Sequence, residues 1–223
     1  MGKLSYLLAE DYIKPKIYFK PKQAPIVNTS YSSDDRKQFE GLEHLTKLIC
    51  SNKGFIVNAF QIDYYQLLPK LISETLKKNS QHKTIYILGP ELSLSILKKS
   101  KKNVYDQFHH DFQYISIEYD PHFIVEKCLS LLDEGHIIYI LPEVSATWRP
   151  EEALQLKDHF IPFCSCILSQ KAQVPILSSV QSLEGDRIIL HPQNSPEDYN
   201  GSFESNIEKQ TNDIYKLLGD SGE

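Results

Sequence analysis

Four short apolar runs, Phe55 to Phe60, Thr84 to Leu88, Phe112 to Ile117 and His136 to Leu141, recur along the chain with helix-period segments between them. A strand buried on both faces reads as a continuous apolar run, and strands that pair in parallel need a crossover long enough for a helix. The intervening segments have that length and place apolar residues three or four apart. Tyr65, Leu68, Ile72 and Leu76 form such a stripe within a helix expected over Ile62 to Lys77, which Pro69 kinks or splits. Leu92, Ile96 and Leu97 form a second stripe, and Phe123, Ile124, Cys128, Leu131 and Leu132 a third. Gly89-Pro90 ends the second strand; Pro121 opens the third helix and Gly135 closes it.

Beyond Leu141 the order changes. A polar connection over 142–157 holds the only tryptophan, and a short helix around Cys166 to Lys171 follows. Val174 to Val180 and Arg187 to Leu190 then read as two strands joined by Ser182-Leu183-Glu184-Gly185-Asp186, a sequence with hairpin turn chemistry. A helix over Phe203 to Leu218 completes the pattern. The sequence therefore predicts an α/β fold: a mostly parallel mixed sheet flanked by helices, with an antiparallel edge. Upstream, Ser33-Asp34-Asp35 reads as a cap on a helix carrying Phe39, Leu42, Leu45, Leu48 and Ile49 until Gly54. Residues 1–33 mix Lys, Pro and Tyr without a period and read as an irregular arm before a single domain over 34–223.

Composition excludes several function classes. A protein of 223 residues buries enough surface, roughly 70%, to hold a core without disulfides or metal. Cys50 and Cys128 lie in apolar helical patterns and Cys164-Ser165-Cys166 lacks paired CxxC units, so reduced, mostly buried thiols in a cytoplasmic setting are expected and no metal or cofactor is implied. The net charge of −5 and only three arginines, Arg36, Arg149 and Arg187, argue against nucleic-acid binding. No apolar run approaches the roughly 20 residues of a membrane span. Charges also interrupt the apolar stretch of MGKLSYLLAEDY, unlike a secretory signal.

In an open α/β sheet, ligands sit at the carboxyl ends of the strands, so the segments after Phe60, Leu88, Ile117 and Leu141 are where chemistry is expected. The first of these, read with what precedes it, is informative: Glu40-Gly41-Leu42-Glu43-His44-Leu45, then Lys53-Gly54-Phe55-Ile56-Val57-Asn58-Ala59-Phe60-Gln61-Ile62-Asp63-Tyr64-Tyr65-Gln66. Further along come Glu134-Gly135-His136, Leu141-Pro142-Glu143, Ile161-Pro162-Phe163, Gln173-Val174-Pro175-Ile176, Arg187 to Pro192, and Asn212-Asp213-Ile214. In this order and spacing the protein resembles the lipid A late acyltransferase (lauroyl/myristoyl acyltransferase) family, of the lysophospholipid acyltransferase-like superfamily. The resemblance runs from Glu40 to about Leu218 and implies a glycerolipid acyltransferase-like sandwich.

By this resemblance a catalytic histidine and, five residues on, an acidic partner would occupy positions 61 and 66, which here are Gln61 and Gln66. In the family the histidine deprotonates an acceptor that attacks an acyl thioester. A glutamine amide cannot take that proton, although its NH₂ can still donate to a thioester carbonyl. No histidine in the sequence has Asp or Glu five residues downstream, and His109-His110-Asp111, before a strand, reads more readily as solvated. Asp63 is the candidate substitute acid or base; its alternative is an N-cap on the helix from Tyr64. For substrate binding the candidates are Tyr64, Tyr65, Glu143, Trp148 and Arg149. One tyrosine would pack and one face the cleft; Glu143 lines the cleft or is a surface carboxylate; Trp148-Arg149 covers an acyl groove, or the indole fills the edge of the core.

The resemblance implies an acyl thioester partner, on acyl carrier protein or coenzyme A. The lysines and tyrosines of the arm suit peripheral contact at the inner face of a membrane, or packing on the domain or a protein partner. Two functions follow: a divergent acyltransferase acting on a small-molecule or peptide acceptor, or a catalytically inactive pseudoenzyme that serves as a binding or partner subunit.

Overall fold

The computed structural model describes residues 39–60, 67–89, 112–117, 119–140, 153–156, 159–162, 164–181 and 188–220. Its first half comprises β1 (Phe39–Glu40), α1 (Leu42–Ile49), β2 (Phe55–Ala59), α2 (Leu67–Lys78), β3 (Ile85–Gly89), β4 (Phe112–Ser116), α3 (Pro121–Asp133) and β5 (Ile137–Ile140). Then follow β6 (Ala153–Leu156), β7 (His159–Pro162), α4 (Cys164–Ala172), β8 (Ile176–Gln181), β9 (Ile188–Pro192) and α5 (Phe203–Asp220).

The apolar runs all become strands of one seven-stranded sheet of order β1-β9-β8-β2-β5-β3-β4. From β8 to β4 the pairs are parallel, whereas β9 runs antiparallel to β8 and β1 follows β9 in parallel. The expected fold class, a mostly parallel sheet with an antiparallel edge, is what forms. Strand β2 sits at the centre and every one of its residues is buried, as its unbroken apolar run requires.

Alternate residues of the strands feed two cores. Phe55, Val57, Ala59, Ile137, Tyr139 and Leu177 pack with Leu45 and Ile49 of α1 and with Leu68, Leu71, Ile72 and Leu76 of α2. On the other face Ile56, Phe60, Ile138, Ile140 and Ile176 pack with Cys128 and Leu131 of α3, Cys166 and Leu168 of α4, and Ile207 and Ile214 of α5. A constant crossover hand accounts for this division. The step from β2 to β3 moves toward β4 and carries α2 on one face, while the steps from β4 to β5 and from β5 to β8 move back and carry α3 and α4 on the other.

Local punctuation behaves as the sequence implies at α3, where the Asp120 carboxylate accepts from Phe123 N at 3.1 Å and Pro121 lies in the first turn. Gly135 then takes the left-handed φ of 87° that ends the helix. Helix α2 carries Pro69 and runs unbroken from Leu67 to Lys78; the part of the expected helix before Leu67 lies outside the described residues.

Three expectations need correction. The helix expected to carry Phe39 starts only at Leu42: Gly41 adopts φ 77°, and a Cβ there would collide with the Leu190 carbonyl oxygen. Phe39 and Glu40 instead pair with Ile188 and Ile189. Within the connection over 142–157, Ala153–Leu156 forms a strand that pairs antiparallel with His159–Pro162. Its four residues alternate too briefly to stand out from a polar stretch. Cys50, expected inside, is exposed at the end of α1, whereas Cys128 and Cys166 are buried. Burial pushes those two thiols up to about 12 and about 11, so both stay protonated near neutral pH. The arm and the stripe over 92–97 lie outside the described residues.

Helices α4 and α5 meet through a polar seam inside this second core. Gln210 Nε2 donates to Ser169 Oγ at 3.1 Å and Gln170 Nε2 to Gln210 Oε1 at 3.3 Å. Both glutamines and Ser169 are buried, so these bonds replace the water they lose.

Candidate functional site

Strands β2 and β5 are neighbours, in parallel and in register, with Asn58 opposite Ile140. The next sheet strand after β2 is β3, toward the β4 edge, and the next after β5 is β8, toward the other edge, while α2 and α4, which precede them, pack on opposite faces. That arrangement is a topological switch point, the place outside the carboxyl ends of two strands where open α/β sheets take their ligands. The residues nominated from sequence fall on the two segments that leave those ends: Gln61, Asp63, Tyr64, Tyr65 and Gln66 after β2, and Glu143, Trp148 and Arg149 after β5. All eight lie outside the described residues; the described strands fix only where their segments begin.

Below that end the sheet carries polar groups that sequence reasoning missed. Asn58 is fully buried and faces α4, where its Nδ2 donates to Ser165 Oγ at 3.1 Å. Ser178, opposite Asn58 on β8, is also fully buried. Asn58 Oδ1 and Ser178 Oγ have no hydrogen-bond partner among the described residues. The signal was a single polar residue in the run Phe55 to Phe60, read there as a strand and no more. Ser179 Oγ donates to the Asn58 carbonyl at 3.4 Å and Phe60 N to the Ser179 carbonyl at 3.2 Å, tying β8 to β2 at the carboxyl end of β2.

A buried hydroxyl without a partner forfeits its hydration and gains no bond in return. Ser178→Ala is therefore expected to leave stability unchanged or raise it by up to about 1 kcal/mol, read by thermal melting. A clear loss of stability would show that the hydroxyl is bonded in solution.

Of the described histidines, His136, His122 and His191 are set off from this end of β2 by strand order or strand direction. His136 opens β5 at the opposite end of the sheet, its Nδ1 accepting from Thr84 N at 3.1 Å. His122 lies in the first turn of α3, three strands away. His191 is two strands away on β9, opposite Ser178. Burial, and then the neighbouring His44, hold its imidazole below the ordinary value of 6.5, with Glu40 pulling the other way.

The folded protein thus prefers neutral His191, while the unfolded form takes up a proton as pH falls through 6.5. This contribution to stability is complete above the ordinary value and is lost as pH drops through it toward the depressed folded value. The melting temperature is expected to fall over that window, and His191→Gln to flatten the dependence. An unchanged slope in the variant would remove His191 as the cause.

Among the described residues no group of three or more His, Cys, Asp or Glu side chains is placed to hold a metal ion, and no helix is long and apolar enough to cross a membrane. No known protein-family profile matches the sequence, and no curated protein does either.

Proposed function

We propose that this is an acyltransferase-like protein that binds an acyl thioester, carried by acyl carrier protein or coenzyme A, at the switch point beyond β2 and β5, and passes the acyl group to a small-molecule or peptide acceptor. The support is the switch point itself: two adjacent, in-register strands lead into the two segments that carry every residue nominated from the resemblance. Gln61 would donate to the thioester carbonyl and Asp63 would take the acceptor's proton. Peripheral membrane contact through the lysine-rich arm belongs to the same proposal.

The second reading is an inactive binding or partner subunit, favoured by glutamine at both 61 and 66. Loss of a positioned base costs about 10²–10⁴ in rate, and members of a coupled pair fail together. Offering an acyl thioester with candidate acceptors and following free thiol separates the two. Turnover that disappears in Asp63→Asn supports the enzyme. Saturable acyl-thioester binding with no thiol released from any acceptor supports the binding subunit. Absence of both would overturn the acyl-thioester reading altogether.

A further inference from the structure

The sequence has one Asn-Gly pair, Asn200-Gly201, exposed in the turn between a short 3-10 segment (Pro196–Asp198) and α5. Glycine puts no side chain in the path of its own backbone nitrogen, so this pair is where an asparagine is most open to intramolecular attack. One buried side chain grips the backbone on both sides of Asn200. Asn206 Oδ1 accepts from Gly201 N at 2.9 Å, and Asn206 Nδ2 donates to the Tyr199 carbonyl at 2.9 Å. The same amide reaches Gln170 Oε1 at 3.5 Å, and Asn206 N donates to the Ser202 carbonyl at 2.9 Å.

We propose that Asn200 is a self-modification site, converting to aspartate and isoaspartate, and that the Asn206 clamp sets its rate. The Gly201 nitrogen, once its proton has gone to a solvent base, attacks Cγ of Asn200. A bond forms between that nitrogen and Cγ, the Cγ–Nδ2 bond breaks, and the amide nitrogen leaves as ammonia, giving a cyclic imide. Water then adds to either imide carbonyl and opens the ring. In sum the amide and water become a carboxylate and ammonium, with no oxidant or reductant. While Asn206 Oδ1 holds the Gly201 N–H, that nitrogen is engaged and turned toward the core, so attack waits for the turn to open. The isoaspartyl product lengthens the backbone by a methylene between the two gripped groups and breaks the grip.

The test is ageing of the intact protein in mildly alkaline buffer at physiological temperature, read by the mass gained on exchanging NH₂ for OH, by a more acidic chromatographic form and by isoaspartate-specific methylation. Asn206→Ala is expected to modify about tenfold faster than wild type, the factor that losing one or two net hydrogen bonds puts on a local opening. Asn200→Gln should abolish the product. Gln210→Ala, which breaks the α4–α5 seam without touching the turn, should age at the wild-type rate. Equal acceleration in Asn206→Ala and Gln210→Ala would trace the reaction to general loosening and overturn the clamp. An unaccelerated Asn206→Ala, or product persisting in Asn200→Gln, would overturn it as well.

Discussion

On the proposed acyl-transfer reading, a variant with Gln61→His together with Gln66→Glu is expected to release thiol from an acyl thioester about 10²–10⁴-fold faster than the unaltered protein, the factor a positioned general base supplies. The histidine alone should give much less, because an imidazole without its carboxylate is neither oriented nor stabilised once protonated, and such pairs act as a unit. Free-thiol release with an acyl thioester and acceptor measures the gain. The double variant should also acquire a rate that rises with pH through about 6.5, the ordinary imidazole value. Double and single variants that release thiol no faster than wild type, while melting at its temperature, would show that positions 61 and 66 do not face a reacting centre.

Gly54→Ala is expected to cost about 3 kcal/mol of stability, at the upper end of overpacking. A Cβ at this position would meet the Leu132 and His136 carbonyl oxygens at 2.5 Å each and Leu132 Cα at 2.9 Å. All three are backbone atoms, so no side-chain tip can swing aside. Gly54 N also donates to the Leu132 carbonyl at 3.1 Å, fixing the start of β2 against the turn between α3 and β5. Pushing that contact apart strains the register in which Phe55 faces Ile137. For a protein of this length the melting temperature should fall by roughly 6–12 °C. A variant melting within a degree or so of wild type would mean that the strand entry yields freely.

The parallel core was legible because burial on both faces writes a strand as an uninterrupted apolar run. Phe55–Ala59, Ile85–Gly89, Phe112–Ser116 and Ile137–Ile140 all stand within a residue or two of their sequence-based bounds. The hairpin of β8 and β9 was legible from its turn residues. Two-residue β1 was not, because Phe39 also fits the apolar period of α1 and only the left-handed Gly41 separates them. Of the candidate site, the sequence places every nominated residue just beyond β2 or β5. Asn58 and Ser178 escaped notice because their importance lies in facing each other across adjacent strands, and separation in sequence hides that juxtaposition.

The central position of β2 bears on how the protein assembles. It precedes the other strands of the parallel core in sequence, yet its two neighbours are β5 and β8, so Phe55 waits for Ile137 and Ile56 for Ile176. The helices and the β3–β4 pair can form earlier from nearer contacts, but the sheet cannot close around its middle until β8 has been made. Such long-range parallel pairing makes folding slow, because loop-closure entropy is lost before the contacts that reward it exist. Until then an apolar strand with two open edges is exposed, and that interval during synthesis is when this protein most needs protection from aggregation.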